Sequence, residues 1–478
     1  MAILDQLEPK SLFHYFEQLC AIPHGSGNTE AAGAWLASFA AERGLEHWRD
    51  EAGNVVIIGK ASPGYEEAPT VILQGHMDMV CEKDPDCPLD MEREGLDLAV
   101  DGDFVFARGS TLGGDDGVAV AMMLAILDAP ALEHPRLECV FTADEEVGML
   151  GAEALDASPL RGRILLNLDS EDEGVFTVSC AGGRLVRCVL PVKREAFPGV
   201  ALDIVVRGLT GGHSGIEIHR GGANASVLLG RVLASLRRAT PARVTQVHGG
   251  LKDNAIPVLA QAQVVVADAA AAAEVCRDCE AMFRAEYAAT DPHIEVLAAP
   301  GEPGTPMDER GSADTVCLLL CQPNGVQAMS AFDPGLVETS LNLGILTTEA
   351  DCVCAAYCVR SSVESRKELL TERLRSLTER LGGRIETSGD YPGWAFRSDS
   401  PLRETMVEVF REQYGREPVI SAIHAGLECG LFAGKLPGLD CVSIGPQLEG
   451  IHTPRERMSV SSVARTWALV TETLKRMK

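Results

Sequence analysis

Five short motifs place side chains that can bind hard metal ions along the chain in a fixed order. They are His76 in LQGHMDMV, Asp115 in LGGDDG, the pair Glu145-Glu146 in FTADEEVG, Asp169 in LLNLDSE and His452 in EGIHTPRE. Each follows a short apolar run that predicts a strand, or lies just beyond one, and ligands bind at the carboxyl ends of strands in open α/β sheets. The sequence therefore predicts that these side chains meet in a single site.

The number of ligands favours two metal ions. Two imidazoles and three carboxylates, with one carboxylate shared, give each ion three protein ligands and leave room for a water, as in catalytic zinc sites. Glu145 then remains free for acid/base work. Asp78, two residues after His76, lies on the same side of an extended segment and is predicted to accept the other ring N–H of His76. These residues predict a hydrolase with two divalent ions, where Zn²⁺ is expected and Mn²⁺ or Co²⁺ is compatible with the same ligands.

The ordered motifs GHMDMV, GGDDG, DEEVG, NLDSE and GIHTP resemble the co-catalytic zinc exopeptidases related to aminoacylase, glutamate carboxypeptidase and carnosinase. The resemblance extends from AIPHGSGNTEAAGAWL near the start of the chain to the final histidine. It implies that Glu145 is the general base. It also implies two sets of metal ligands, one of His76, Asp115 and Asp169 and the other of Asp115, Glu146 and His452, so that Asp115 bridges.

The same resemblance limits the class of substrates that is expected. In this family an Asp at the place of Asp169 goes with aminopeptidases and dipeptidases, whereas carboxypeptidases and acylases tend to have Glu. The run Asp115-Asp116-Gly117, where many relatives have DDKG, is the form expected of a dipeptidase branch. The resemblance thus implies hydrolysis of unblocked dipeptides, with Xaa-His dipeptides, including β-alanyl-histidine, as substrates.

Two other functions compete with this interpretation. An N-acyl amino acid deacylase or a carboxypeptidase would use the same metal core. A metal-dependent binding protein without catalysis would be expected to have lost its general base, and Glu145 is intact. Tolerance of a blocked substrate amine distinguishes the first alternative, and metal binding without hydrolysis of any peptide distinguishes the second.

Three further residues are candidates for substrate binding. In the resembling enzymes the His of GGHSG, here His213, stabilises the tetrahedral oxyanion. Arg360 is the matching candidate for binding the substrate carboxylate through two parallel hydrogen bonds from its guanidinium group. The candidate partners for the substrate amine are Asp169, an acidic loop, or Glu428 in SAIHAGLECG. Other branches have a Gly/Ser-rich turn at this place, so the role of the neighbouring His424 stays open.

The order of apolar runs predicts an α/β protein with an insertion. Val55 to Ile58 and Val71 to Gln74 are typical of strands, Val118 to Leu127 of a buried helix, and a helix capped by Asn28 is expected to run through Glu42. This alternation predicts a mixed, largely parallel sheet flanked by helices, formed by residues 1–187 and 393–478. Residues 188–392 are predicted to form an inserted α+β lid, which the family often uses for dimerisation.

Composition limits the function classes. The chain has 478 residues and 46% hydrophobic content, enough for two domains of a soluble protein. Its 69 acidic and 42 basic residues give a net charge of −27, which argues against nucleic acid as a partner. We find no signal-peptide pattern, no membrane-spanning run and 15 scattered cysteines, which predict reduced thiols in the cytoplasm and a structural role for the pair Cys276 and Cys279. A small peptide substrate and a homodimer are the expected partners.

Overall fold

The structure is a computed structural model that describes residues 3–332 and 334–478. It contains two compact units. Unit one comprises residues 1–179, 396–422 and 427–478, and unit two comprises residues 180–395 and 423–426. The predicted insertion, residues 188–392, lies within unit two, and its action as a lid or as a dimerisation domain stays a prediction.

Helices and strands alternate in the first part of unit one. The elements are α1 (Lys10–Cys20), α2 (Glu30–Glu42), β1 (Glu46–Arg49), β2 (Val55–Gly59), β3 (Val71–His76), β4 (Leu98–Asp101), β5 (Phe104–Ala107), α3 (Gly114–Leu127), β6 (Leu137–Thr142), α4 (Leu150–Ala154), β7 (Ile164–Asn167) and β8 (Val175–Cys180). The predicted cap of α2 is wrong: its N-cap is Thr29, because the Asn28 side chain instead donates a hydrogen bond to the carbonyl of Glu92.

Unit two contains the second group of elements. They are β9 (Gly182–Pro191), β10 (Val200–Arg207), a short 3₁₀ helix (Ile218–Arg220), α5 (Ala225–Ala239), β11 (Ala242–Gly249), β12 (Ala260–Val266), α6 (Ala269–Glu286), β13 (Glu295–Pro300), α7 (Glu309–Cys321), β14 (Gly325–Met329), β15 (Val337–Thr348), β16 (Cys352–Ser361), α8 (Glu364–Arg380) and β17 (Arg384–Tyr391). The nine strands form an antiparallel sheet in the order β13-β10-β12-β11-β15-β16-β9-β17, with β14 paired to β15.

The chain then completes unit one. The remaining elements are α9 (Pro401–Tyr414), β18 (Val419–Ile423), α10 (Glu428–Lys435), β19 (Asp440–Ser443), β20 (Leu448–Glu449), β21 (Arg457–Ser459) and α11 (Val460–Arg476). Strand β19 pairs in parallel with β7, although almost three hundred residues separate them in the chain. The last predicted ligand, His452, therefore returns to the unit that holds the first one.

The main sheet of unit one has eight strands in the order β1-β2-β6-β3-β7-β19-β8-β18. Its central strands β6, β3, β7 and β19 are parallel, whereas β1, β2 and β8 pair antiparallel with their neighbours. All six residues of β3 are buried, as expected for a parallel strand covered on both faces. The predicted α/β fold with a mixed sheet is confirmed. Within the described residues, no helix is long and apolar enough to cross a membrane.

Candidate active site

Three central strands of unit one end within two residues of one another at one edge of the sheet. His76, the last residue of β3, pairs in register with Thr142, the last residue of β6. On the other side of β3, Gln74 pairs with Asn167, the last residue of β7. The segments that follow these strands carry Asp78, the pair Glu145-Glu146, and Asp169, so the parallel register brings them to one sheet edge.

Asp115 lies between the two histidines. Its Oδ1 is 3.1 Å from Nε2 of His76, and its Oδ2 is 3.2 Å from Nε2 of His452. Nε2 of His76 is also 3.7 Å from Oδ1 of Asp169, and Nε2 of His452 is 2.7 Å from Oε1 of Glu146. Each imidazole thus faces two carboxylates, with Asp115 common to both groups.

Asp116 also belongs to this cluster, although the sequence did not single it out. Its buried Oδ2 accepts a hydrogen bond of 3.2 Å from the backbone N–H of His76, and ligand atoms of Asp116, His76 and Asp169 lie within 4.8 Å of one another. Gly75 makes this approach possible, because a Cβ there would collide with the Asp116 carboxylate and lie 2.6 Å from Cβ of Ala119. The second Asp of the GGDDG motif was the available signal.

The cluster contains more carboxylate groups than its two histidines can neutralise. Burial raises the pKa of Glu145 to about 8, and the nearby carboxylates of Glu428, Glu146 and Asp115 act in the same direction, whereas His76 opposes them. Burial also raises the pKa of Asp169 well above its usual range. Such carboxylates favour a bound cation, since a cation stabilises their ionised form.

The carboxylate of Asp78 lies beside its predicted partner, His76, but its shorter hydrogen bonds go to other groups. Nδ1 of His76 lies 2.9 Å from the backbone carbonyl oxygen of Asp78 and 3.5 Å from its Oδ1, so the carbonyl is the nearer acceptor. The Asp78 carboxylate instead accepts hydrogen bonds from the backbone N–H groups of Glu145 at 3.0 Å and Glu146 at 3.3 Å, and from the hydroxyl of Ser26 at 2.8 Å. Asp78 therefore fixes the Glu145-Glu146 segment, while Nε2 of His76 faces the cluster.

Glu456 positions the loop that carries Asp115, a role that sequence reasoning missed. Its side chain is 3% exposed. Oε2 accepts from the backbone N–H groups of Leu112 and Gly113 at 2.9 and 3.2 Å, and Oε1 accepts from those of Gly114 and Asp115 at 2.8 and 3.4 Å. An acidic residue in the motif EGIHTPRE was visible, but its partners lie more than 300 residues away in the chain.

Glu428 lies in the interior of unit one, in contact with Gln74 on β3 and Thr142 on β6. Its side chain is 0% exposed, and its Oε2 accepts hydrogen bonds from Nε2 of Gln74 at 2.5 Å and from Oγ1 of Thr142 at 2.7 Å. Oε1 of Gln74 in turn accepts from Nδ2 of Asn167 at 2.7 Å. This network joins the ends of β6, β3 and β7. Direct binding of the substrate amine by Glu428 does not fit this burial, and the contacts favour a positioning role.

Unit two brings together His213, Arg360 and His424. Nδ1 of His213 accepts hydrogen bonds from the backbone N–H groups of Gly215 at 3.1 Å and Ile216 at 3.2 Å. The ring proton is therefore on Nε2, which leaves that N–H as a donor. Burial, followed by the charge of Arg360, lowers the pKa of His213, so the ring is neutral near pH 7.

Arg360 is buried, with 7% of the residue exposed. Its Nη1 donates to the hydroxyl of Tyr391 at 3.1 Å, and its buried Nε has no hydrogen-bond partner among the described residues. Burial and then the charge of Arg360 lower the pKa of His424 to about 3, and Nε2 of this histidine lies 2.7 Å from the hydroxyl of Ser340. A buried guanidinium with an unused donor is suited to an anionic group.

Comparison with known proteins identifies the class. Residues 72–476 match the sequence model of the family described as "Peptidase family M20/M25/M40". It is 37% identical over 482 residues to the cytosol non-specific dipeptidase of Escherichia coli, and the match covers 99% of each chain. The chain therefore belongs to peptidase family M20/M25/M40, and the predicted hydrolase class is confirmed.

Solved structures agree with this placement. The crystal structure of aminoacylhistidine dipeptidase from Vibrio alginolyticus matches with a TM-score of 0.95 and 36% identity, over 99% of this chain and 97% of that one. An aminopeptidase from Bacillus cereus shares the fold with a TM-score of 0.56 and 17% identity, over 98% and 99% of the two chains. The similarity to the dipeptidase branch of the family, which the sequence motifs imply, is thus confirmed.

Proposed function

We propose that this protein hydrolyses the peptide bond of unblocked dipeptides with two divalent metal ions. The observation that carries the proposal is the position of Asp115, whose two carboxylate oxygens face different histidines at 3.1 and 3.2 Å. A carboxylate shared in this way is suited to two neighbouring cations. The relatives that match along the whole chain are named as dipeptidases, which favours this substrate class.

The donor set fits the metals. His76, Asp115 and Asp169 would hold one ion, and Asp115, Glu146 and His452 the other. Imidazole and carboxylate ligands suit Zn²⁺, and they also accept Mn²⁺ or Co²⁺. When bound, such ions make a water more acidic and polarise a carbonyl group. The surplus of buried carboxylates in unit one supports this assignment, since without cations their ionised forms are disfavoured.

Glu145 is assigned as the general base and acid. It would take a proton from the attacking water and then deliver it to the leaving amine. Its raised pKa, about 8, suits a group that must both accept and donate a proton near neutrality. Two hydrogen bonds to the Asp78 carboxylate hold the backbone of the Glu145-Glu146 segment, from which the Glu145 side chain extends.

For unit two we assign substrate contacts to His213 and Arg360. His213 presents an Nε2–H donor, which is what a developing oxyanion requires. Arg360, with an unused buried Nε, would bind the substrate carboxylate. We further propose Xaa-His dipeptides, including β-alanyl-histidine, as substrates, a cytoplasmic location and a homodimer.

The first experiment measures kcat/KM for a free Xaa-His dipeptide and for its N-acetylated form, with zinc-supplemented protein. We expect strong preference for the free dipeptide, because a dipeptidase must recognise the free amino group of its substrate. Glu145→Gln serves as the catalytic control and should abolish hydrolysis of both substrates.

Two outcomes would contradict the proposal. Equal or faster cleavage of the acetylated peptide would indicate a deacylase or carboxypeptidase on the same metal core. Zinc binding without hydrolysis of any dipeptide in a broad panel would indicate a metal-dependent binding protein.

A further inference from the structure

A second group of metal-binding side chains lies in unit two, at the turn between β15 and β16. Cys352 and Cys354 are two residues apart on β16, so their side chains project from the same face of the strand. Both are buried, with 9% and 4% of the residue exposed. The turn is closed by the backbone N–H of Glu349, which donates to the carbonyl of Cys352 at 2.8 Å.

The ligand atoms have the spacing of a tetrahedral metal site. The two Sγ atoms are 3.7 Å apart, and the Glu349 carboxylate places Oε2 3.5 Å from Sγ of Cys352 and Oε1 3.4 Å from Sγ of Cys354. Around a tetrahedral Zn²⁺ with bonds of about 2.3 Å to sulfur and about 2.0 Å to oxygen, sulfur atoms lie about 3.8 Å apart and sulfur and oxygen about 3.5 Å apart. The sulfur–sulfur distance and the shorter sulfur–oxygen distance of each thiol agree with these edges, although the two thiols face different oxygens of the Glu349 carboxylate. One carboxylate oxygen and the two sulfurs lie within 4.8 Å of one another.

We infer that Glu349, Cys352 and Cys354 form a binding site for a thiophilic divalent cation such as Zn²⁺ or Cd²⁺. Three protein ligands leave one position of a tetrahedron for water or another small ligand, so the cation would exchange more readily than in a site closed by four side chains. Because Glu349 precedes the strand and both thiols lie on it, the cation would fasten the β15–β16 turn.

Arg187 places a positive charge beside the two cysteines and Glu349. Its Nη2 lies 2.9 Å from Sγ of Cys354 and 2.6 Å from Oε1 of Glu349, and its Nη1 lies 2.9 Å from Oε2 of Glu386. The two thiolates, the Glu349 carboxylate, the guanidinium and a divalent cation together carry no net charge. Hydrogen bonds from Arg187 would stabilise the thiolate and the carboxylate that bind the cation. The thiols must release their protons on binding.

Cadmium titration of the full-length protein, loaded with Mn²⁺ because this ion does not favour thiolate ligands, tests the site with a non-thiol reductant present. The proposed active-site ligands are imidazoles and carboxylates, so an ultraviolet charge-transfer band from sulfur to Cd²⁺ reports only on cysteines. We expect this band to rise and saturate at a single site. It should be absent from the double variant Cys352→Ser/Cys354→Ser. In Glu349→Gln the affinity should fall by at least about 10- to 100-fold, since removing even a residue that only supports a metal ligand has an effect of this size.

The matched control is the double variant Cys317→Ser/Cys321→Ser, whose thiols lie 3.9 Å apart on α7. It should keep the band and the affinity of the unchanged protein. The inference is overturned if the unchanged protein gives no saturating band, or if the band persists without Cys352 and Cys354. Loss of the band in the control variant would equally overturn it. Peptidase activity checks folding, and should the cysteine variant not fold, Glu349→Gln decides alone, because the Glu349 side chain is 51% exposed.

Discussion

Replacing Glu456 with glutamine should loosen the loop that carries Asp115. In the structure each carboxylate oxygen of Glu456 accepts from two backbone N–H groups of residues 112–115, and the side chain is 3% exposed. Glutamine keeps the shape but offers a single acceptor oxygen, and its NH₂ group would face two other donors. Two buried N–H groups then lose their acceptor.

The structure gives the size of this effect. A buried donor left without a partner costs about 1 to 3 kcal/mol, so Glu456→Gln should destabilise unit one by roughly 2 to 6 kcal/mol. Glu456→Ala should cost more, since all four N–H groups lose their acceptor. Because Asp115 is one of the four donors, we also expect divalent metal to bind about 10- to 100-fold more weakly.

Urea unfolding and metal titration of the purified variants measure these two quantities. Glu417→Gln is the control, because Glu417 forms an exposed ion pair with Arg411 and such pairs contribute little to stability. The reasoning is refuted if Glu456→Gln unfolds at the same urea concentration as the unchanged protein and retains its metal affinity.

Three further changes have defined outcomes. Glu145→Gln should lower kcat by at least about 100-fold at unchanged metal content, the smallest effect expected from loss of a general base; a simultaneous loss of metal would argue for a ligand role. Glu428→Ala should destabilise unit one by roughly 1 to 3 kcal/mol in urea, because one N–H of the Gln74 amide loses its acceptor, while the Thr142 hydroxyl can still donate to the carbonyl of Gly75; Glu428→Gln should cost less, and equal costs would contradict this account. His424 has a pKa lowered to about 3, so the unfolded chain, with a pKa near 6.5, takes up the proton first as the pH falls. His424 should therefore contribute a loss of stability below pH 6.5, about 2 kcal/mol at pH 5, and His424→Asn should remove this contribution; an unchanged pH profile of the variant in urea unfolding would refute it.

Local sequence patterns were sufficient for the central strands and for the order of the candidate ligands. The predicted strand Val55 to Ile58 lies within β2, and β3 extends two residues past the predicted Gln74 to include His76. Apolar runs of this length identify buried strands, and the residue types that follow them identify the chemistry. Cys276 and Cys279 on α6 are each 2% exposed, because the apolar face of this helix packs into the core of unit two, and this burial agrees with the structural role predicted for the pair.

The contacts that position the candidate site were decided by the tertiary structure. The Asp78 carboxylate accepts hydrogen bonds from the backbone of the Glu145-Glu146 segment, and this contact depends on where β6 ends relative to β3. Glu456 reaches a loop more than 300 residues earlier, and Glu428 joins side chains from two strands. Side-chain type and strand period are properties of neighbouring residues, so the sequence by itself determines them. Hydrogen-bond partners and burial depend on residues far apart in the chain, and these are defined only once the sheet has formed.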